Sequence, residues 1–398
     1  MLLVRFSSIG DILLTTPLVR ALARRHPEAK LVYVTKRAMA PLVADNPRLT
    51  DVVTLEPGEP IRHLARRLRA LAPTHGLDLH GSVRSAGLRL LVHCRWSGYF
   101  KRKLARALLI ATKLDAYRRR APSPVAERYF EAARRLDTRP DGGPPEFCLG
   151  PGATDRAARW LAERGLGGGA RLAALAPGAA HATKRWPVAH WSALAERLGT
   201  AGYRPVVVGG PDDRGLAQQL VAEGSGGNPI VSAAGEFSLQ ETGALLARAR
   251  VVVSGDTGVM HMATGVGTPV VALFGPTVAQ FGFFPYRAPA AVLERGLARG
   301  TLGRGAAAAA ARVGEESPAS PPGARCAARK PRPPRPPEAR PRRRASPPRA
   351  RHTRRRGAGA VGAGRADARG PRSRGGRRSY GCRTNGTPTS ISHAPTES

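Results

Sequence analysis

The sequence predicts an α/β protein of two doubly wound halves, each with a parallel sheet, followed by a disordered basic tail. Three observations predict it. First, short β-branched runs end in glycine-containing polar turns and pass directly into helix-forming stretches, as where Val251–Val253 leads into Gly255-Asp256-Thr257-Gly258. Second, a Pro/Gly-rich stretch at Arg139–Gly152, RPDGGPPEFCLGPG, separates two series of such units. Third, leucine is absent after Leu302 and phenylalanine after Phe284, while Arg, Pro, Ala, Gly and Ser dominate to the end. Such a segment cannot bury enough apolar surface to offset its ordering entropy. The expected division is therefore 1–150, 151–298 and a disordered tail, 299–398.

The elements follow in order. The first half opens with a strand at Leu2–Phe6, a polar turn through Ser7, Ser8, Gly10 and Asp11, one helix to about Arg25, and a strand at Leu31–Thr35. Strand-like runs recur at Asp51–Leu55 and Gly76–Leu79, with a helical region before Asp137. The second half has a helix at Asp155–Arg164, a strand at Leu172–Ala176, a long loop at Pro177–Trp186 and a helix at Val188–Leu198. Pro205–Val208 is the next strand. Gly235–Leu239 starts a capped helix that ends near Ala249, and Val251–Val253 and Val270–Phe274 complete the sheet. Strands alternating with helices place ligands at the carboxyl ends of parallel strands.

The 398 residues carry a formal charge of +36. From Arg299 onward 24 basic and 5 acidic residues give +19, which leaves +17 for the rest. Many of those positives fall in Arg95–Arg120, where Lys101, Arg102, Lys103, Arg106 and Lys113 are interleaved with Leu104, Leu108, Leu109, Ile110 and Leu114. A basic amphipathic segment of this kind suits an anionic membrane surface or glycolipid, or else a solvated helix whose long basic side chains cover a core face. No apolar run approaches the ~20 residues of a membrane span, and Arg5 and Asp11 break any signal-peptide core. The expected location is cytosolic and at most peripheral. The cysteines have no CxxC spacing, so no zinc site is indicated.

Three loops carry candidate chemistry. Asp11 stands at the carboxyl end of the first strand, where a carboxylate can act as general base for a hydroxyl nucleophile or, with Ser8, simply cap the following helix. In Pro177–Pro187, Lys184 and Arg185 precede a helix N-terminus, where the helix dipole disfavours cations; an anionic ligand such as a diphosphate would offset that repulsion, and a solvent-exposed basic loop is the alternative. In the Gly255–Gly258 turn, Asp256 or Thr257 can cap the next helix. The two glycines let the backbone approach a phosphate at its N-terminus, and His261 follows one turn on, facing the same pocket or packed as an ordinary core histidine. No metal-ligating constellation accompanies these loops.

Taken together and in order, SSIGDILLTTP, LDLHGSVRSA (Leu77–Ala86), PGAAHATKRWP (Pro177–Pro187), VVVGGPDD (Val206–Asp213) and SGDTGVMHMATGVGTPVVALFGPT resemble the bacterial lipopolysaccharide heptosyltransferases, glycosyltransferase family 9, over residues 1–298. The KRWP loop is closer to the second heptosyltransferase of the inner core than to the first. The resemblance implies a GT-B fold: two Rossmann-like domains facing a cleft, the first binding acceptor and the second nucleotide sugar. It implies metal-independent, inverting transfer of L-glycero-D-manno-heptose from ADP-heptose to a hydroxyl of the lipopolysaccharide core or of Kdo-lipid A, without a cofactor. By motif, Asp11 becomes the base and Lys184 neutralises the departing diphosphate. Thr183, Asp256, Thr257, Gly258 and His261 hold the donor, Asp213 reaches its ribose, and Ser8, Gly10, His80, Ser82 and Arg84 lie on the acceptor side. Peripheral contact with the cytoplasmic face of the inner membrane is implied, and specific nucleic-acid binding is not.

The chain departs from this pattern after about Arg299. The tail is either a frameshifted reading of a GC-rich gene, leaving the second domain incomplete, or a true anionic-polymer-binding segment. The competing functions are a GT-B enzyme using another nucleotide sugar and an inactive transferase remnant that binds polyanions.

Overall fold

The computed structural model describes residues 1–99, 123–179, 184–224, 229–275 and 282–294. The expected basic segment beyond Tyr99, Thr183 and the tail lie outside the described residues.

The first sheet contains β1 (Leu2–Val4), β2 (Val32–Lys36), β3 (Asp51–Leu55), β4 (His75–Asp78) and β5 (Arg95–Gly98), in the order β3-β2-β1-β4-β5. The second contains β6 (Leu172–Ala176), β7 (Arg204–Val207), β8 (Val231–Ser232), β9 (Val251–Gly255), β10 (Val270–Phe274) and β11 (Ala290–Glu294), in the order β11-β10-β9-β6-β7-β8. Every recorded pairing is parallel. In each sheet the chain starts in the middle, winds to one edge, then returns to the centre and winds to the other: two doubly wound lobes.

Strand residues are divided between two faces by the pleat. In β1, Leu3 joins a core shared by both lobes, while Leu2 and Val4 pack on the outer face of the first lobe. In β9, Val252 enters the same shared core and Val251 and Val253 face outward. The shared core runs from Leu13 and Leu18 through Phe147 to Leu245 and Met260. Both lobes therefore rest on one continuous apolar layer.

The Pro/Gly-rich stretch between the two halves is a strap fastened on both sides. Arg20 binds Asp141 (2.6 Å) and Glu146 (3.1 Å), and Arg48 also reaches Glu146 (2.6 Å). The Thr16 hydroxyl accepts the Glu146 N–H at 2.7 Å, and the next residue, Phe147, donates its N–H to the Gly265 carbonyl at 2.9 Å. Gly243 and Gly265 leave room for the Phe147 ring; a Cβ on Gly265 would lie 2.8 Å from that of Phe147.

Three expectations are corrected. The first helix is two, α1 (Ile9–Leu13) and α2 (Thr16–Arg25), because Pro17 has no N–H to continue α1 and Thr15 and Thr16 turn their hydroxyls back to the Ile12 and Leu13 carbonyls. Arg95–Gly98, expected to open the basic segment, is strand β5, paired with β4. The helix expected from Asp155 begins at Pro151, whose ring suits the first helical position. β11, which no expectation covered, pairs with β10 at the sheet edge.

Candidate active site

In an open parallel sheet the crevice lies where the winding reverses, at the carboxyl ends of the two central strands. In the first sheet those strands are β1 and β4, and in the second β6 and β9. Their loops contain Ser8–Asp11, His80–Arg84, Lys184 and Asp256–Gly258. All three loops expected to carry chemistry thus stand at winding reversals.

Asp11 occupies the third residue of α1 and its carboxylate is held from several sides. Oδ2 accepts the Ser8 hydroxyl at 2.9 Å and the Ser8 N–H at 3.3 Å, so the capping role expected for it is real. The same oxygen forms an ion pair with Arg5 at 2.6 Å, and Oδ1 accepts the Tyr129 hydroxyl at 3.0 Å. Burial opposes the charge, but the Arg5 guanidinium, then the Ser8 and Tyr129 hydroxyls, hold the carboxyl below the usual carboxylate range. Its side chain remains 17% exposed. Arg5 is anchored in turn by the carbonyls of Ser7 (2.7 Å) and Leu79 (2.6 Å).

On the second lobe Lys184 pairs with Asp256, joining the β6 and β9 loops across the winding reversal. This changes the reason for a cation ahead of that helix: Asp256 already compensates it. Lys184 is nonetheless 26% exposed, against 12% for Asp256. Arg185 turns away and donates to the Ala179 carbonyl at 2.9 Å. Neither Asp256 nor Thr257 caps the helix Gly258–Val266 by its side chain, contrary to expectation. Asp256 is committed to Lys184, and the Thr257 hydroxyl meets that of Ser254 at 3.0 Å. Among the described residues no side chain caps the first N–H groups of that helix, which suit an anionic acceptor.

The two lobes interlock at this point through reciprocal glycine contacts. The His261 ring lies so tightly on Gly10 that a Cβ there would collide with it, and a Cβ on Gly258 would come within 2.9 Å of the Ile9 Cβ. His261 is therefore a packed floor residue, 3% exposed, whose Nδ1 has no hydrogen-bond partner among the described residues. Burial pushes its pKa down, against the opposing charges of Asp256 and Asp11, so the ring stays neutral at neutral pH. Gly10→Ala is expected to splay the interlock, costing about 1–3 kcal/mol of stability and roughly 10²-fold in turnover. Thermal melts and initial rates on the same preparation check both.

On the acceptor side, Ser82 caps α4 (Val83–Leu91), accepting the Ser85 N–H at 3.3 Å, and Arg84 is exposed beside it. His80 packs edge-on against Phe6. The loop is organised by buried Asp78, which accepts the N–H groups of His80 (3.0 Å) and Gly81 (2.8 Å) and the Ser85 hydroxyl (3.0 Å). Asp213, expected at a ribose, is half-buried: it accepts the Gly210 N–H at 2.9 Å and packs against Gly178 and Gly209, tying the β6 and β7 loops together. Asp78, Arg5 and Tyr129 were not anticipated. A lone charge inside the apolar runs LLVRF and LDLH is the signal that could have found the first two; Tyr129 carries none.

Two parallel, doubly wound lobes with their crevice loops interlocked define the GT-B class of glycosyltransferase fold. A solved glycosyl transferase family 9 structure from Veillonella parvula DSM 2008 superposes with a TM-score of 0.69 at 23% identity, covering 79% of this chain and 97% of that one. The sequence pattern of glycosyltransferase family 9 (heptosyltransferase) matches residues 61–295, and the chain belongs to that family. It is a glycosyltransferase. Lipopolysaccharide heptosyltransferase 1 of Pseudomonas aeruginosa is 29% identical over 294 residues, covering 70% of this chain and 79% of its own length. Lipooligosaccharide heptosyltransferase 2 of Haemophilus influenzae is 27% identical over 293 residues, covering 69% and 83%.

Proposed function

We propose that this protein transfers a heptose from ADP-heptose to a hydroxyl of the lipopolysaccharide inner core, with inversion and without a metal ion. The observation that carries the reading is the interlock: Gly10 on His261 and Ile9 on Gly258 bring the Asp11 loop beside the Asp256–Gly258 loop, so that one base and one anion-binding loop share a floor. Family membership and the heptosyltransferase relatives support the donor and acceptor classes.

In this mechanism the donor diphosphate lies over the N-terminus of the helix Gly258–Val266, between its free N–H groups and Lys184. The acceptor oxygen attacks the anomeric carbon from the face opposite the diphosphate. The new C–O bond forms as the bond to phosphate breaks, the acceptor proton passes to Asp11, and ADP departs with its added charge met by Lys184. A single displacement of this kind inverts the anomeric centre. Asp11 is a weak base, but the acceptor hydroxyl becomes strongly acidic as its oxygen bonds to carbon, so the proton moves late. We assign residues 1–150 to the acceptor and 151–298 to the donor, with Thr183 beside the phosphates and His80, Ser82 and Arg84 towards the acceptor. Exposed Arg62, Arg66, Arg69 and Arg89 on α3 (Ile61–Ala70) and α4 suit an anionic membrane surface. Among the described residues no helix is long and apolar enough to cross a membrane.

The test is ADP release from ADP-heptose with and without a heptose-deficient lipopolysaccharide acceptor. Acceptor-dependent release, unaffected by EDTA and giving the inverted anomer by NMR, is expected. Release only from UDP- or GDP-sugars would reassign the donor, and loss in EDTA restored by a divalent cation would overturn metal independence.

A further inference from the structure

We propose that Arg5 and Tyr129 are positioning residues that divide the work of the Asp11 carboxylate, Arg5 fixing Oδ2 as an anchor and Tyr129 presenting Oδ1 as the oxygen that takes the acceptor proton. The inference rests on the reading of Asp11 as the base.

The two oxygens are in different surroundings. Oδ2 has three partners: the Arg5 guanidinium at 2.6 Å, the Ser8 hydroxyl at 2.9 Å and the Ser8 N–H at 3.3 Å. That exhausts what one carboxylate oxygen accepts in good geometry. Oδ1 has the Tyr129 hydroxyl at 3.0 Å, which leaves it capacity for an incoming proton.

The two partners are also built to hold position. Arg5 is buried, and three more of its donors are directed to the Ser7 and Leu79 carbonyls and, at 3.4 Å, to the Tyr99 hydroxyl. The Leu79 contact ties it to the end of β4, so one guanidinium spans both central strands of the sheet. Tyr129 is buried too, stacked edge-on against Tyr99 at 4.9 Å, with the Arg5 guanidinium 5.6 Å from its ring centre. Burial, and then the Asp11 charge, push its pKa well up, so its proton stays in place as a donor. A carboxylate gripped at one oxygen and steadied at the other has a fixed plane, which a base working on a bound sugar requires.

The groups facing Asp11 are Arg5, Ser8, Tyr129 and, more distantly, Tyr99, Tyr33 and His261, and of these only Arg5 is charged at neutral pH, since burial pushes the tyrosines up and the histidine down. Removing an adjacent guanidinium raises a carboxyl pKa by about 1–3 units and removing a hydrogen-bond donor by up to about one. The experiment is the pH profile of kcat/KM for the full chain with ADP-heptose and a heptose-deficient acceptor, for wild type, Tyr129→Phe, Arg5→Met, Arg5→Lys and Asp11→Asn. The acid limb is expected to move up by about one unit or less in Tyr129→Phe and about 1–3 units in Arg5→Met. Arg5→Lys should lie close to wild type, and KM for the donor should be unchanged in Tyr129→Phe. Should Arg5→Met fail to fold by circular dichroism, the isosteric Tyr129→Phe decides. A folded Tyr129→Phe with the wild-type limb and wild-type kcat, while Asp11→Asn is inactive, would overturn the division of labour and leave the base in place. An active Asp11→Asn would remove the base and the proposal together.

Discussion

Replacing Asp11 by asparagine is expected to lower kcat by about 10²–10⁴-fold, the contribution a positioned general base makes, while ADP-sugar affinity stays within a few-fold of wild type. Asparagine preserves the shape of the side chain and its reach to Ser8, so the loop keeps its path. It cannot take a proton at the oxygen facing the acceptor. The substitution also leaves Arg5 buried opposite a neutral group, where it formerly met a carboxylate at 2.6 Å. Breaking such a pair from one side costs about 3–5 kcal/mol, so a lower melting temperature accompanies the loss of turnover. The sign of the pH dependence separates the two effects. Because the folded carboxyl lies below its ordinary value, its contribution is complete above the unfolded pKa and fades as pH falls. The wild type and variant should therefore converge in stability in acid while still differing in rate at pH 7. Calorimetric binding of ADP, melting curves and initial rates decide it, and loss of nucleotide binding together with turnover would make Asp11 a structural residue.

The second large effect is expected at Lys184. Truncation to alanine should reduce kcat by about 10²–10³-fold, as removal of a single preorganised charge at a leaving group does. Here a simpler explanation has to be set aside, since Lys184 already neutralises Asp256. A double-mutant cycle with Lys184→Met and Asp256→Asn does so. If the lysine served only its neighbour, neutralising both would restore stability and rate together. If it serves the diphosphate, the double variant regains stability but stays slow, and the rate deficit persists at saturating donor.

Much of the fold was legible because buried parallel strands announce themselves. β6 and β10 are unbroken apolar runs, β2 and β9 open on VYV and VVV, and each is punctuated by glycine, proline or a charged turn. Two of the strands that were missed lack that signature. β5 reads RWSG, half-exposed at a sheet edge, and β8 has two residues; each exists through its pairing rather than its composition. The crevice was legible for a related reason: in a doubly wound sheet the turn after a central strand is a ligand loop, and that rule selected Asp11, Lys184 and Asp256 without any tertiary information. What a residue does once there was not legible. The contacts that Asp213 makes with the Gly210 N–H and His261 makes with Gly10 leave no trace in the local sequence. Tyr129 reaches Asp11 only because the chain returns after more than a hundred residues. No local pattern records such a meeting.

The contact between Gly10 and His261 has a bearing on how this sequence can change. The two positions share one fixed volume, so neither can be randomised alone in a laboratory library without penalty. A larger residue at position 10 should survive only beside a smaller one at position 261. Selection for activity from a library varying both should recover pairs of nearly constant summed size, drawn from positions 251 residues apart in the polypeptide.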